Sequence, residues 1–345
     1  SGFLNIINIR TGEEQLVYVN KRIPEQALTD RMILNCTADN NGGVWLGTAQ
    51  MGIIHYSLST GELTQYIHEP GNPISNGSNS LPGNMIDRIL VDDNGVLWAS
   101  CFGHGLIKME PVTALFKTAV PSTAKDAFTE EQGWSANIRG FLETDDGYWV
   151  ATMNGLFSYS GETQKFSNLQ SLCPANIETR SGNYDRLLSQ GFPFGSLARD
   201  HAGNIWIGTW YGELVIYNIK TKRSYSIKPP PLKKVNESIF RNLFFDRKNR
   251  MWISTWHSGI CMVDCNDLNF EKMNDIKFEY SFPDANDAAA IPPGIAFVVS
   301  EDAQGNIWAG TENGLCRYNE QTKKWKRYVK IPGNEKSIHH NNVRS

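Results

Sequence analysis

One pattern is written six times along this chain of 345 residues. Its clearest copy runs from Asp302 to Asn319 and reads Asp-Ala-Gln-Gly-Asn-Ile-Trp-Ala-Gly-Thr-Glu-Asn-Gly-Leu-Cys-Arg-Tyr-Asn. The other copies centre on Trp45, Trp98, Trp149, Trp206 and Trp252. Each Trp follows an Asp within seven residues and precedes a small residue and then Gly-aliphatic, with Gly212-Glu213-Leu214 the loosest case. From Trp45 to Trp308 the five steps cover 263 residues, a mean of roughly 53, which falls in the range of periods of propellers and repeat arrays. A unit this short cannot enclose a core of its own, so neighbouring copies must stack.

Within one unit the hydrophobic pattern gives four strands. An apolar or alternating run before the Asp, such as Ile86 to Val91 or Ile295 to Val299, has the length and β-branching of a buried strand A. Asp-x-x-Gly then supplies a hairpin turn, because Gly95, Gly203 and Gly305 tolerate positive φ. Strand B carries the Trp, strand C runs over 314–319 in the last copy, and strand D over 325–329. Four antiparallel strands make one propeller blade. The chain opens on a C-like segment (Ser1 to Asn8) and a D-like one (Gln15 to Val19), and Ser337 to Arg344 parallels Ser80 to Asp87, the approach to a strand A. The expectation is an all-β propeller with six whole four-stranded blades and a seventh shared between the termini. It is read as a single domain over residues 1–345, a piece of a longer chain whose repeats continue.

Composition narrows the function classes. A hydrophobic content of 40%, charged content of 20%, sixteen Phe and ten Trp suit a folded body with aromatic cores between blades. A net charge of −3 gives no basic field for a phosphate backbone, which argues against nucleic acid. The six cysteines are scattered without Cys-x-x-Cys spacing and read as small apolar filler in sheets. The Asp/Asn clusters of the A–B turns lack the closing Glu of a calcium loop, so they are turn chemistry, and neither metal nor cofactor is expected.

Chemistry is expected on the opposite rim, where the B–C loops differ in every copy. Flat aromatic faces there suit the C–H face of a pyranose, with Arg, Asn and His at the edge for its hydroxyls. The candidate ligand-binding residues are Trp210, Tyr211, Trp256, His257, Arg241, Arg139, Asn137, Trp134, Arg88, Phe102 and His104. Packing between blades is the other reading of Trp210, Trp256 and Phe102. A His/Glu pair drawn from His104, His257, Glu213 and Glu312 is conceivable for acid–base or metal-assisted elimination. Ser-His-Asp and P-loop spacings are absent, and no catalytic residue is assigned.

The repeated Asp-x-x-Gly-x-Ile/Leu-Trp-Ile/Ala-Gly-Thr-x-x-Gly-Leu-x-x-Tyr-Asn resembles the two-component regulator propeller repeat. The resemblance covers nearly the whole chain and is closest at 302–319 and 200–218. Arg247 to Arg250 loses the turn Gly, and Ser100-Cys101 replaces Gly-Thr. The resemblance implies the periplasmic sensor region of a hybrid two-component histidine kinase of Bacteroides-like bacteria, with no catalysis in this segment. It also implies a small oligosaccharide ligand, a second propeller and an immunoglobulin-like domain in the same chain, and a homodimeric full-length receptor. A propeller lyase resembling streptogramin lyases and a protein-docking scaffold are the alternatives.

Overall fold

Strand follows strand in meander order within each repeat of the computed structural model. It describes residues 3–7, 14–19, 32–69, 80–109, 116–119, 137–153, 155–169, 172, 194–210, 212–227, 229, 239–270, 272, 276–334 and 337–345. A two-stranded sheet joins β1 (Phe3–Ile7) and β2 (Glu14–Tyr18). The first blade is β3 to β6 (Ile33–Ala38, Gly43–Thr48, Ile53–Ser57, Leu63–Tyr66) and the second β7 to β10 (Ile86–Val91, Leu97–Cys101, Gly105–Met109, Phe116–Ala119). The third is β11 to β14 (Ile138–Thr144, Gly147–Thr152, Gly155–Ser160, Lys165–Asn168). The fourth is β15 to β18 (Phe194–Arg199, Ile205–Thr209, Leu214–Asn218, Arg223–Ile227), and the fifth β19 to β22 (Phe240–Phe245, Arg250–Thr255, Ile260–Asp264, Phe278–Ser281). The sixth is β23 to β26 (Ala296–Glu301, Ile307–Thr311, Gly314–Asn319, Lys324–Tyr328). The chain divides into two compact units, Ser1–Arg139 with Tyr159–Phe166, and Gly140–Ser158 with Ser167–Ser345.

The Asp of each turn explains why the strands start where they do. Asp39, Asp92, Asp200, Asp246 and Asp302 each use Oδ1 to accept the backbone N–H groups two and four residues on, at 2.7–3.0 Å. In the last four, Oδ2 accepts the indole N–H of the Trp six residues on, at 2.8–3.0 Å. In the first blade His55 takes that place, with Nε2 2.7 Å from Asp39 Oδ2, and its ring lies 4.3 Å from the ring of Trp45. The third repeat is shorter: Trp149 follows Asp145 by four residues. Asp145 is exposed and meets Arg199 at 3.5 Å instead.

Those tryptophans anchor the packing between blades. Trp206 and Trp252 are 0% and 1% exposed. Burying roughly 200 Å² of ring at about 25 cal/mol per Å² contributes about 5 kcal/mol for each. Trp206 packs in one cluster with Phe240, Leu243 and Met251 of the next blade, and Trp252 in another with Val299, Ile307 and Trp325. Strands A are also tied to each other: Ile89 N donates to Asn35 Oδ1, Leu243 N to Ser196 Oγ and Val299 N to Asn242 Oδ1, at 3.0–3.1 Å. At the other end of strand B a buried Thr caps the turn, as where Thr255 Oγ1 donates to Gly259 O at 2.9 Å. Gly259 has φ +79°, and a Cβ there would lie 2.2 Å from Ser281 O, so only glycine fits. Cys101, Cys261, Cys265 and Cys316 are free thiols. Burial pushes the Cys101 and Cys316 thiols up to about 12, which keeps them protonated and inert.

The six whole blades are present; among the described residues β1 and β2 pair only with each other, Phe3 opposite Tyr18, and the described pairings do not extend to the expected seventh blade shared between the termini. Residues 337–345 nonetheless make the contacts of a strand-A approach. Gly314 N donates to Asn341 O at 2.7 Å as Gly52 N donates to Asn84 O at 2.9 Å. Lys330 N donates to Asn341 Oδ1 at 2.6 Å as His68 N donates to Asn84 Oδ1 at 2.7 Å.

Two predictions follow from the turn aspartates. Asp246→Ala leaves the indole N–H, two backbone N–H groups and the Arg250 guanidinium without their buried carboxylate, and costs about 3–5 kcal/mol; Asp145→Ala stays within about 0.5 kcal/mol. Urea unfolding of both variants checks the difference. Burial acts to raise the pKa of Asp39 and Asp302. Hydrogen bonds from Gly43 and His55 to Asp39, and from Trp308 and Asn306 to Asp302, nevertheless hold both below the ordinary value of 3.8. A depressed folded pKa gives stability that is present above the unfolded value and lost as pH falls through the folded one. Melting temperatures are therefore expected to fall as pH drops below about 4, and less so in Asp302→Asn.

Candidate functional site

The first residues of strand A step out of register with strand B. Pairing skips one residue in five blades: between Ile33 and Asn35, Ile86 and Arg88, Phe194 and Ser196, Phe240 and Asn242, and Ala296 and Val298. Such a bulge re-aims the side chain it carries. The residues so placed are Leu34, Asp87, Gly195, Arg241 and Phe297, each eleven residues ahead of its Trp. This position varies in chemistry while the stitching residue beside it holds the frame.

In the second unit the bulge residues and the B–C loops form one stack. The Arg241 guanidinium lies 5.2 Å from the Trp256 ring and 5.9 Å from the Phe297 ring, and the Arg344 guanidinium lies 4.4 Å from Phe297. Trp256 is half-buried and His257 exposed, with ring centres 6.2 Å apart. Trp210 is half-buried and lies over its own strand A, where a Cβ on Gly195 would meet its indole at 3.3 Å and Phe240 O at 2.6 Å. Glu312 Oε2 accepts Ile295 N at 3.3 Å. The surface so built offers aromatic rings with guanidinium groups at their faces.

In the first unit the bulge of the second blade carries charge instead, at Asp87. Arg139 Nη1 pairs with Asp87 Oδ2 at 3.0 Å, with side chains 17% and 15% exposed, and Arg88 Nε donates to Arg139 O at 3.0 Å. Burial holds the Arg88 guanidinium below its ordinary pKa, Asp87 opposing and Arg139 adding to the shift. Asn137 is 1% exposed, and neither Nδ2 nor Oδ1 meets a partner, an arrangement that native interiors fill with water or ligand. His104 is half-buried against Gly83, and burial, with His68 adding, lowers its pKa. Phe102 is 36% exposed. Trp134 and Tyr211 lie outside the described residues. Among the described residues no three His, Cys, Asp or Glu side chains group as a metal site requires.

Sequence reading therefore named Arg241, Arg139, Trp256 and Arg88 but missed Asp87, Phe297 and Arg344. The count of eleven back from each Trp is the signal that finds the first two. Arg344 is reached by the parallel between Ser337–Arg344 and Ser80–Asp87.

Comparison with known proteins ties this frame to a family. The description "Two component regulator propeller" matches residues 187–211, the stretch that holds Asp200, Trp206 and Trp210. That stretch is similar to one two component regulator propeller repeat. The chain is similar to Histidine kinase P4 of Formosa agariphila, 23% identical over 244 residues, or 58% of this chain and 17% of the kinase. Among solved structures it is similar to the extracellular domain of a protein named as a hybrid two component system from B. thetaiotaomicron. There the TM-score is 0.64 and the identity 17%, over 99% of this chain and 36% of the other. It is also similar to virginiamycin B lyase of Staphylococcus aureus, with TM-score 0.60 and 11% identity, over 89% of this chain and 87% of the lyase. At these identities the likeness to solved structures is one of fold. The regulator propeller repeat is thus a frame, and this chain spans about a sixth of the kinase it matches.

The charged heads of strand A in the first unit are testable. Asp87→Asn leaves two neighbouring guanidinium groups without their carboxylate and costs about 1–3 kcal/mol. Combining it with Arg139→Met recovers part of that loss, because the partner charge goes too. A double-mutant cycle in denaturant measures the coupling.

Proposed function

We propose that this propeller is a ligand-binding module in the periplasmic sensor region of a transmembrane hybrid two-component histidine kinase, and that its ligand is an oligosaccharide. The observation that carries the reading is the stack of Trp256, Arg241, Phe297 and Arg344 on the variable rim. A half-buried indole bordered by guanidinium donors matches a pyranose, whose C–H face packs on a ring while its hydroxyls need donors at the edge. The orphaned amide of Asn137 adds a second place where a hydroxyl would be received. The likeness to a histidine kinase and to extracellular domains named for hybrid two component systems supports the placement outside the inner membrane.

In this reading the segment performs no chemistry. The ligand acts by binding one arrangement of the receptor more tightly than another, since only differential affinity shifts such an equilibrium. The arrangement would involve a second propeller and an immunoglobulin-like domain of the same chain, in a homodimeric receptor.

The test is a thermal-shift screen against oligosaccharides, followed by calorimetry on the best. A ligand present at 100 times its Kd stabilises the fold by about 2.7 kcal/mol. That gain is expected to vanish in Trp256→Ala and in Arg241→Ala while both still melt cooperatively. Equal shifts in wild type and both variants would remove the site. No shift with any sugar, together with capture of a protein partner on this rim, would favour a docking scaffold.

A further inference from the structure

The connection from the fifth blade to the sixth is held from outside its own blade. It leaves β22, runs through the exposed residues 284–288, buries Ile291 and reaches the rim at 293–295. Ile291 is 1% exposed and packs with Trp252 and Ile260 of the fifth blade and with Ala296 and Trp325 of the sixth. It plugs the core between the two.

The guanidinium of Arg327, on the outermost strand of the sixth blade, fixes this segment. Nε donates to Ala290 O at 2.6 Å, and Nη2 reaches Asp284 O, Asp287 O and Ile291 O at 2.5–3.2 Å. All four partners are backbone carbonyls, and bonds of this charge-assisted kind are about twice as strong as neutral ones. A planar fork of N–H donors serves several acceptors at once, which the point charge of a lysine does poorly. Trp325 N adds a further bond across the blades, to Ala289 O at 2.8 Å. Inside the segment Asp284 N donates to Ile291 O and Ala290 N to Asp287 O, at 3.0 and 3.1 Å. The connection from the first blade to the second is fastened differently. Its plug, Leu81, is 0% exposed among Ile53 and Ile86, and its own connection holds it: His68 Nδ1 lies 2.8 Å from Leu81 O, and Leu81 N donates to Ile67 O at 3.1 Å.

The far end of the segment meets the rim. Pro292 and Pro293 stand between the plug and Gly294, and each fixes its own φ, so a displacement of the plug is passed on. Asn313 Nδ2 donates to Pro293 O at 2.8 Å, and Glu312 Oε2 accepts Ile295 N at 3.3 Å. Glu312 and Asn313 form the sixth blade's B–C loop, and Phe297 of the aromatic stack follows Ile295 by two residues.

We propose that Arg327 is a conformational latch: it docks the segment 283–291 as a strap on the sixth blade, and the docked strap sets the rim at Ile295 and Glu312. The consequence for recognition rests on the reading of the rim given above, whereas the latch itself does not. Amide-resolved hydrogen exchange on the intact chain, with no sugar present, compares wild type with Arg327→Met and Arg327→Lys. In Arg327→Met the amides of Asp284, Ala290 and Trp325 are expected to exchange at least about tenfold faster, and those of Ile295 and Glu312 at least about threefold faster. Amides of β16 in the fourth blade are expected to keep the wild-type rate. Arg327→Lys is expected to fall between, because an ammonium keeps the charge and loses the fork. It also serves as the test should Arg327→Met fail to melt cooperatively. Unchanged rates at 284, 290 and 325, unchanged rates at 295 and 312, or an equal rise in every blade would each overturn the proposal.

Discussion

The whole architecture depends on one carboxylate with two separate duties. Oδ1 of the turn Asp closes the hairpin by accepting two backbone N–H groups, and Oδ2 holds the indole that fills the gap between blades. Because both oxygens belong to one rigid group, the hairpin cannot form in another register without pulling the indole out of its core. Local turn chemistry and packing between sheets are thereby made to agree, which is the consistency that distinguishes a sequence with one fold from one with several. In the first blade the indole is replaced at Oδ2 by His55, and the ring of Trp45 packs at a tilt against that imidazole instead. The duty is kept while the partner changes.

Much of this was legible because it is written at fixed spacing. The Asp and Trp positions, the Gly-bearing turns and the strands around them follow from residue type alone, and β25 spans the segment read as strand C, 314–319. Of the cysteines read as filler, Cys101, Cys261, Cys265 and Cys316 are buried in or beside strands, Cys36 is half-buried, and Cys173 lies outside the described residues. What periodicity could not deliver was register. The skipped residue at the head of strand A breaks the alternation by one, so Phe297 reads as one more apolar residue in a strand rather than as the ring between two guanidiniums. Likewise the hold of Arg327 on the carbonyls of 284–291 exists only across blades, invisible to any count along one strand.

The bulge separates scaffold from variation over a distance of one residue. Asn35, Ser196 and Asn242 each accept a backbone N–H from the neighbouring strand A. Immediately before them stand Leu34, Gly195 and Arg241, which differ in size, polarity and charge. A frame that binds its neighbours through one position and leaves the adjacent one unconstrained can carry unrelated sites. The propeller fold itself is shared with an extracellular domain named for a hybrid two component system and with a lyase.

The shortened third turn shows what the carboxylate measures. Successive tryptophans are separated by as few as 46 and as many as 57 residues, yet the interval from Asp to Trp is six in five repeats of six. Where it drops to four, Asp145 no longer reaches the indole and turns outward to Arg199. The interval behaves as a caliper with almost no play, whereas the connections from strand D to the next strand A lengthen and shorten freely. Insertions in a lineage of such chains are therefore steered into those connections, where drift in length leaves the caliper untouched.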